Sequence, residues 1–102
     1  MERNIPVQKK IEKFLFSHDI VYMKNGKLVP CHRKQLIRLT DLEIVTAYGA
    51  EIRGTCNYYK LASNYNTLHY FCYLMEYSCL KTLAAKHKTS IKKIWDKYKY
   101  GQ

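Results

Sequence analysis

Residues 40–60 read TDLEIVTAYGAEIRGTCNYYK, and the architecture follows from them. Thr40 and Glu43 stand at the spacing of a capping box, in which the threonine hydroxyl and the glutamate carboxylate satisfy amide donors at a helix start. Val45, Tyr48, Ile52, Cys56 and Tyr59 then recur at helical spacing, which predicts a long helix with these five as its buried stripe. Gly49 and Gly54 interrupt it at a cost of about 1 kcal/mol each relative to Ala. That cost predicts a close approach to the backbone at both.

On the C-terminal side, Leu61 to Asn66 read as a turn, with Asn64 and Asn66 as caps. A second long helix follows from about Thr67 to His87. Leu68, Phe71, Cys72, Met75, Cys79 and Leu83 form one face, and Tyr70, Tyr73, Leu74 and Tyr77 continue the apolar character round the side, as expected of a central helix. Thr89 or Ser90 caps a third helix carrying Ile91, Ile94, Trp95 and Tyr98, with Gly101 as its stop. On the N-terminal side, Val7, Ile11, Phe14 and Leu15 make a short amphipathic helix, with Asn4 as cap and Pro6 in the first turn. Ile20 to Met23 and Leu28-Val29 flank Asn25-Gly26, a strong hairpin signal, and Pro30 ends the second strand. Residues 31–39 are a basic connector with room for one helical turn. The expected fold is mainly α: residues 1–39 form a connector with a short helix and a β-hairpin, and residues 40–102 a three-helix bundle.

The 102 residues carry 18 Lys+Arg against 8 Asp+Glu, a formal charge of +10, with 47% hydrophobic residues and ten tyrosines. A chain this apolar buries a core, which excludes disorder. Such a charge suits nucleic acid, an anionic membrane surface, an acidic partner, or only a solvated face. No apolar run is long enough to span a membrane. The N-terminus has no signal peptide, so an intracellular protein is expected. Cys31, Cys56, Cys72 and Cys79 form no Cys-x-x-Cys pair and are expected to be reduced, buried thiols.

No phosphate loop, nucleophile elbow or His-Glu-x-x-His is present. Asp41 and Glu43 face different directions, so neither paired-carboxylate catalysis nor a shared metal is expected, and the ligand spacing for zinc is missing. No catalytic residue, metal or cofactor is expected in this chain. The basic residues carry more information. Arg53, Asn57 and Lys60 fall on one stripe of the first long helix. Tyr70, Tyr77, Lys81 and Lys88 share a sector of the second. Lys92, Lys93 and Lys97 lie on the third, and from Lys81 onward seven lysines meet one acid, Asp96. Ammonium and guanidinium groups bind phosphate oxygens with counterion release, Asn hydrogen-bonds sugars or base edges, and tyrosine rings stack on bases.

The strings Leu39-Thr40-Asp41-Leu42-Glu43-Ile44-Val45, Glu51-Ile52-Arg53-Gly54-Thr55-Cys56-Asn57-Tyr58-Tyr59, Leu61-Ala62-Ser63-Asn64 and Tyr73 to Lys88 resemble the maturase domain, also called domain X or the thumb, of group II intron-encoded reverse transcriptases. The likeness covers about residues 36–95, with the ordered motifs Arg-Gly-x-x-Asn-Tyr-Tyr and Leu-Lys-Thr-Leu-Ala-x-Lys-His-Lys. The resemblance implies a helical thumb that binds group II intron RNA and template-primer duplex, lies beside the palm and fingers of a reverse transcriptase, and helps the intron fold while the RNA performs the splicing chemistry. Arg53, Asn57, Lys60, Lys81, Lys86 and Lys88 lie inside the matched motifs, and Lys92, Lys93 and Lys97 extend the same basic end.

The palm motif Tyr-x-Asp-Asp is missing, so these residues carry no polymerase chemistry and are expected to be a piece of a larger RNA-directed DNA polymerase. A cytoplasmic or organellar-matrix location follows from the family. The leading expectation is an RNA-binding thumb. Its rival is a packing module that docks on the palm through its apolar faces, its lysines serving solubility, and a helical DNA-binding domain is a third reading.

Overall fold

The structure is a computed structural model, and it describes residues 6–61 and 65–100, the side chains of 98–100 excepted. The proposed caps Asn4 and Asn64, the side chain of Tyr98 and the stop at Gly101 lie outside the described residues. The elements are α1 (Val7–Ser17), β1 (Val21–Lys24), β2 (Lys27–Pro30), a 3-10 turn (Lys34–Leu36), α2 (Asp41–Tyr59), α3 (Tyr65–His87) and α4 (Ile91–Tyr100). The fold is mainly α with a β-hairpin, as the sequence predicts.

Local signals place most boundaries. Asn25 and Gly26 take positive φ of 50° and 78°, the pair of left-handed residues a tight hairpin turn requires. The antiparallel register runs from Lys24 opposite Lys27 to Val21 opposite Pro30, so Pro30 closes the strand from within it. The Thr40 hydroxyl accepts from Glu43 N at 3.1 Å, and the Glu43 carboxylate accepts from Thr40 N at 2.9 Å: the capping box is complete. Ser90, not Thr89, caps α4, accepting from Lys93 N at 3.2 Å. Pro6 is the residue before α1 and does not lie in its first turn, and Asn66 lies inside α3.

α3 is the central helix. Its C-terminal end meets the start of α2, where Lys86 Nζ donates to Leu39 O at 2.9 Å. Further along, Tyr48 meets Ser78, and beyond them Cys56 Sγ lies 3.9 Å from Cys72 Sγ, so α2 runs antiparallel to α3. Phe14 of α1 packs on Phe71 with ring centroids 6.1 Å apart, and the hairpin lies against α3 near Lys81 and Ser78. One cluster of buried side chains joins Ile11, Leu15, Ile20 and Val21 to Ile44, Tyr48, Phe71, Leu74, Met75, Leu83 and Ile94. A helix of ten residues is marginal alone, and burial of Ile94 (4% exposed) fastens α4 to this core.

Four expectations need correction. Of the predicted stripe only Tyr48 is buried: Ile52, Cys56 and Tyr59 are half-buried, Val45 is 42% exposed, and Ile44, fully buried, takes its place, because α3 meets α2 on the side where Ile44 and Tyr48 align. Leu74, Ser78 and Thr82 are all fully buried, since α3 is covered on more than one side, whereas Tyr70, Tyr73 and Tyr77 remain exposed. Trp95 is 52% exposed and lies beside the core, not in it. Neither glycine of α2 answers a close approach. A Cβ on Gly54 would meet nothing within 4 Å, and one on Gly49 would touch only the flexible end of Arg53 at 3.4 Å.

Candidate nucleic-acid interface

The frame of the site is a buried polar network that sequence reasoning missed. Arg33, 5% exposed, comes from the connector and donates from both terminal nitrogens to Glu51 of α2, at 2.8 and 3.1 Å. This fork-to-carboxylate geometry is the strong form of an ion pair. The guanidinium lies 5.0 Å from the Tyr48 ring centroid, within cation–π range. Burial alone would lower the Arg33 pKa, but the hydrogen bonds and charge of Glu51, with Tyr48, raise it, so the guanidinium stays charged.

Each hydroxyl below it has one proton to give, and the network uses all of them. Thr82 gives its proton to Ser78 O at 2.8 Å, and Ser78 gives its own to Cys31 O at 2.7 Å. The Tyr48 hydroxyl therefore donates, to Ser78 Oγ at 2.6 Å, with Thr82 Oγ1 at 3.1 Å. Arg33 N completes the set by donating to Thr82 Oγ1 at 3.0 Å. Burial pushes the Tyr48 pKa up, against the pull of Ser78, Thr82 and Arg33, which keeps the phenol protonated. Connector, α2 and α3 are thus locked in one register.

The basic residues named from sequence separate into three groups. Arg53, Asn57 and Lys60 are exposed along the last turns of α2 and beyond its end, beside exposed Tyr58 and Tyr65. Lys88, Lys92, Lys93 and Lys97 are exposed at the α3–α4 corner and along α4, with Lys92 paired to Asp96 at 3.4 Å. At 1.5 Å per residue Lys88 lies on the order of 20–30 Å from the first set along α2, whereas α4 runs back along α3 until Trp95 lines a groove with Tyr73. Lys81 and Lys86 differ from both. Lys81 Nζ donates to Pro30 O at 2.7 Å, and Lys86 Nζ donates to Leu39 O and pairs with Asp41 at 3.4 Å. These two ammonium groups tie α3 to the hairpin and to the start of α2, and each keeps further N–H donors. Lys81 therefore leaves the sector it shares with Tyr77 in the sequence pattern.

Asp41 also receives His87 Nε2 at 2.8 Å. Burial acts to raise the Asp41 pKa, but the hydrogen bonds and charges of His87 and Lys86 prevail and hold it below the ordinary carboxylate value. Lys88 stands in the left-handed region at φ 54°, where Thr89 N reaches Ala84 O and Lys88 N reaches Ala85 O, the paired bonds of a Schellman motif.

Tyr70, Tyr73 and Tyr77 form an exposed ladder of rings along α3, with centroids 6.2 and 5.1 Å apart. Among the described residues no three His, Cys, Asp or Glu side chains converge as metal ligands. The described cysteines are free thiols, half-buried and not fully buried as the sequence predicts, and burial with the nearby Cys56 and Glu76 pushes Cys72 up to about 11. Burial and Glu76 raise Cys79 to about 11 as well. No described helix is long and apolar enough to cross a membrane.

A family model of the type II intron maturase matches residues 1–101. The chain is 55% identical over 102 residues, 99% of its length, to Group II intron-encoded protein LtrA of Lactococcus lactis subsp. cremoris, of which it covers 17%. It is 30% identical over 97 residues, 95% of its length, to Maturase K of Chara globularis, of which it covers 19%. Maturase K of Chaetosphaeridium globosum is 45% identical over 60 residues, which cover 59% of this chain and 12% of that protein. The chain thus spans less than a fifth of the length of these relatives. The Arg-Gly-x-x-Asn-Tyr-Tyr motif sits on α2 and the Leu-Lys-Thr-Leu-Ala-x-Lys-His-Lys motif on α3 and the residue after it, and the chain belongs to the type II intron maturase family.

Proposed function

We propose that this chain is the RNA-binding thumb of an intron-encoded reverse transcriptase, and that it grips intron RNA through two exposed basic sets, one at the end of α2 and one at the α3–α4 corner and along α4. Arg53, Asn57 and Lys60 form one set; Lys88, Lys92, Lys93 and Lys97 form the other. Lys81 and Lys86 brace the frame and offer their remaining donors at its edge. The observation that carries this reading is the exposure of Arg53, Lys93 and Lys97 on helices that pack by another face, and of Lys60 and Lys88 just past helix ends. Ammonium and guanidinium groups held at fixed separation match a folded RNA backbone better than a flexible one, which favours the splicing-competent intron fold. Template-primer duplex presents the same phosphate chemistry and is the second ligand of this surface. Palm and fingers of the parent polymerase are its protein neighbours, in the cytoplasm or an organellar matrix.

The test is a salt titration of binding to group II intron RNA, with an unrelated structured RNA as competitor. The pair Arg53→Glu and Lys60→Glu, and separately Lys88→Glu and Lys93→Glu, should each weaken binding and lower the slope of log affinity against log salt by about 1 for every phosphate no longer bound. Unchanged affinity and slope in both pairs would leave the packing-module reading in its place.

A further inference from the structure

From Ile52 to Met75 the chain carries no aspartate or glutamate, and within that stretch α2 ends and α3 begins. Two stripes meet there. Arg53, Cys56 and Lys60, the last closing α2 in right-handed helical geometry, recur at i, i+3 and i+7; Tyr65, His69, Cys72 and Glu76 recur on α3 at i, i+4, i+7 and i+11. Each set therefore shares one side of its helix. Cys56 Sγ lies 3.9 Å from Cys72 Sγ, which puts the two stripes side by side. Because the helices run antiparallel, one turn beyond Cys56 is one turn before Cys72, so Lys60 stands level with Leu68, between Tyr65 and His69.

The Tyr65 and His69 rings stack, with centroids 5.5 Å apart and an interplanar angle of 19°. Both are exposed, Tyr65 by 77%, so one face of the tyrosine is covered by His69 and the other is open. Lys60 is exposed as well and forms no ion pair among the described residues, whereas Lys92 of the other basic set is held by Asp96. The neighbouring acids stand away from the rings. Glu76 lies further along the α3 stripe, at the level of Arg53, and Glu12 of α1 lines a pocket with Asn66, Thr67 and Tyr70, on another flank of α3.

We infer that this end of the α2–α3 pair is a stacking platform for an unpaired nucleobase, with the open face of Tyr65 against the base and Lys60 on a flanking phosphate. The inference rests on the RNA-binding reading above and makes one of its phosphate-contacting sets a site for single-stranded RNA. The Tyr65 ring is already held flat against His69, so stacking a third ring costs little further ordering. An unpaired ammonium on an acid-free surface calls for an anion. A nucleotide supplies a flat face and a negative charge in one unit, whereas an acidic peptide answers the charge and leaves the rings uncovered.

The experiment measures, by anisotropy, binding of the whole chain to labelled oligoadenylate, to an abasic ribose-phosphate oligomer of the same length, and to polyglutamate of matched charge. Oligoadenylate should bind about tenfold tighter than the abasic oligomer, the scale of one stacked base. Tyr65→Ala should remove most of that preference and Tyr65→Phe should keep it. Lys60→Glu should weaken both oligomers and leave their ratio. Tyr73→Ala, which removes an exposed ring elsewhere on α3, should leave the preference intact. These side chains are exposed, and circular dichroism of each variant checks that the helices persist. Equal affinity for oligoadenylate and the abasic oligomer, a preference that survives Tyr65→Ala, or one that falls as far in Tyr73→Ala would overturn the inference. Polyglutamate bound as tightly as oligoadenylate would overturn it in favour of an acidic protein partner. If any of these results comes with intact, salt-sensitive binding of intron RNA, the thumb reading stands and only the stacking platform falls; if intron RNA fails to bind as well, both fall.

Discussion

The guanidinium of Arg33 lies over the Tyr48 ring at 5.0 Å and holds Glu51 with both terminal nitrogens, so the residue that leads from the hairpin into the bundle is bound on the face of α2 nearest α3. Removing one partner of a buried pair leaves the other desolvated and unpaired. Arg33→Met should cost about 3 kcal/mol in urea denaturation. Thr82→Val, which keeps the shape but strips the acceptor from the buried Arg33 N–H, should cost about 2 kcal/mol. Tyr48→Phe removes a donor whose acceptor, Ser78 Oγ, keeps its own bond to Cys31 O, and should cost about 1 kcal/mol. A different order of the three would contradict the proton assignment.

Acid should loosen the corner where α2 begins and α3 ends. The Asp41 pKa is lower in the folded chain than its ordinary 3.8, so the unfolded chain takes up its proton first as pH falls. The stability from this carboxylate is complete above the ordinary value and is lost as pH drops through 3.8 and on past the folded value. Thermal melts should show the native chain losing stability more steeply below about pH 4 than Asp41→Asn, with the two curves converging at the acid end. Parallel curves would mean that His87 and Lys86 contribute nothing through Asp41.

Lys88 separates stability from binding. At φ 54° it occupies a position glycine takes without steric cost. Lys88→Gly should stabilise the chain by about 1 kcal/mol in denaturant melts while weakening its affinity for intron RNA. A variant both more stable and equally tight would remove Lys88 from the interface.

Gly54 lies in the interior of α2 with open space where a Cβ would stand. Gly54→Ala should therefore stabilise by about 0.5–1 kcal/mol, which is a rise in Tm of a few degrees for a domain this size. Loss of RNA binding with that gain would place RNA backbone against Gly54.

Signals that act within a few residues were legible in the amino-acid order alone. The Thr40–Glu43 capping box, the Asn25-Gly26 turn and the periodicities of α1 and α3 are relations between near neighbours along the chain, and they set elements and class before any packing is known. The family motifs on α2 and α3 were legible for a different reason: they are ordered strings, readable without coordinates. Arg33 and Glu51 are 18 positions apart and Tyr48 and Ser78 are 30 apart, and no local pattern links them. Ser78 and Thr82 interrupt the apolar face of α3 as ordinary polar residues would, and only the arrival of Tyr48 and the connector from outside that helix makes them its buried centre. The same holds for charge. Composition supplied the +10, but tertiary packing settled that Lys81 and Lys86 reach backbone carbonyls while Arg53, Lys60, Lys88 and Lys93 stay exposed, because an ammonium group binds whichever oxygen the fold brings within about 3 Å.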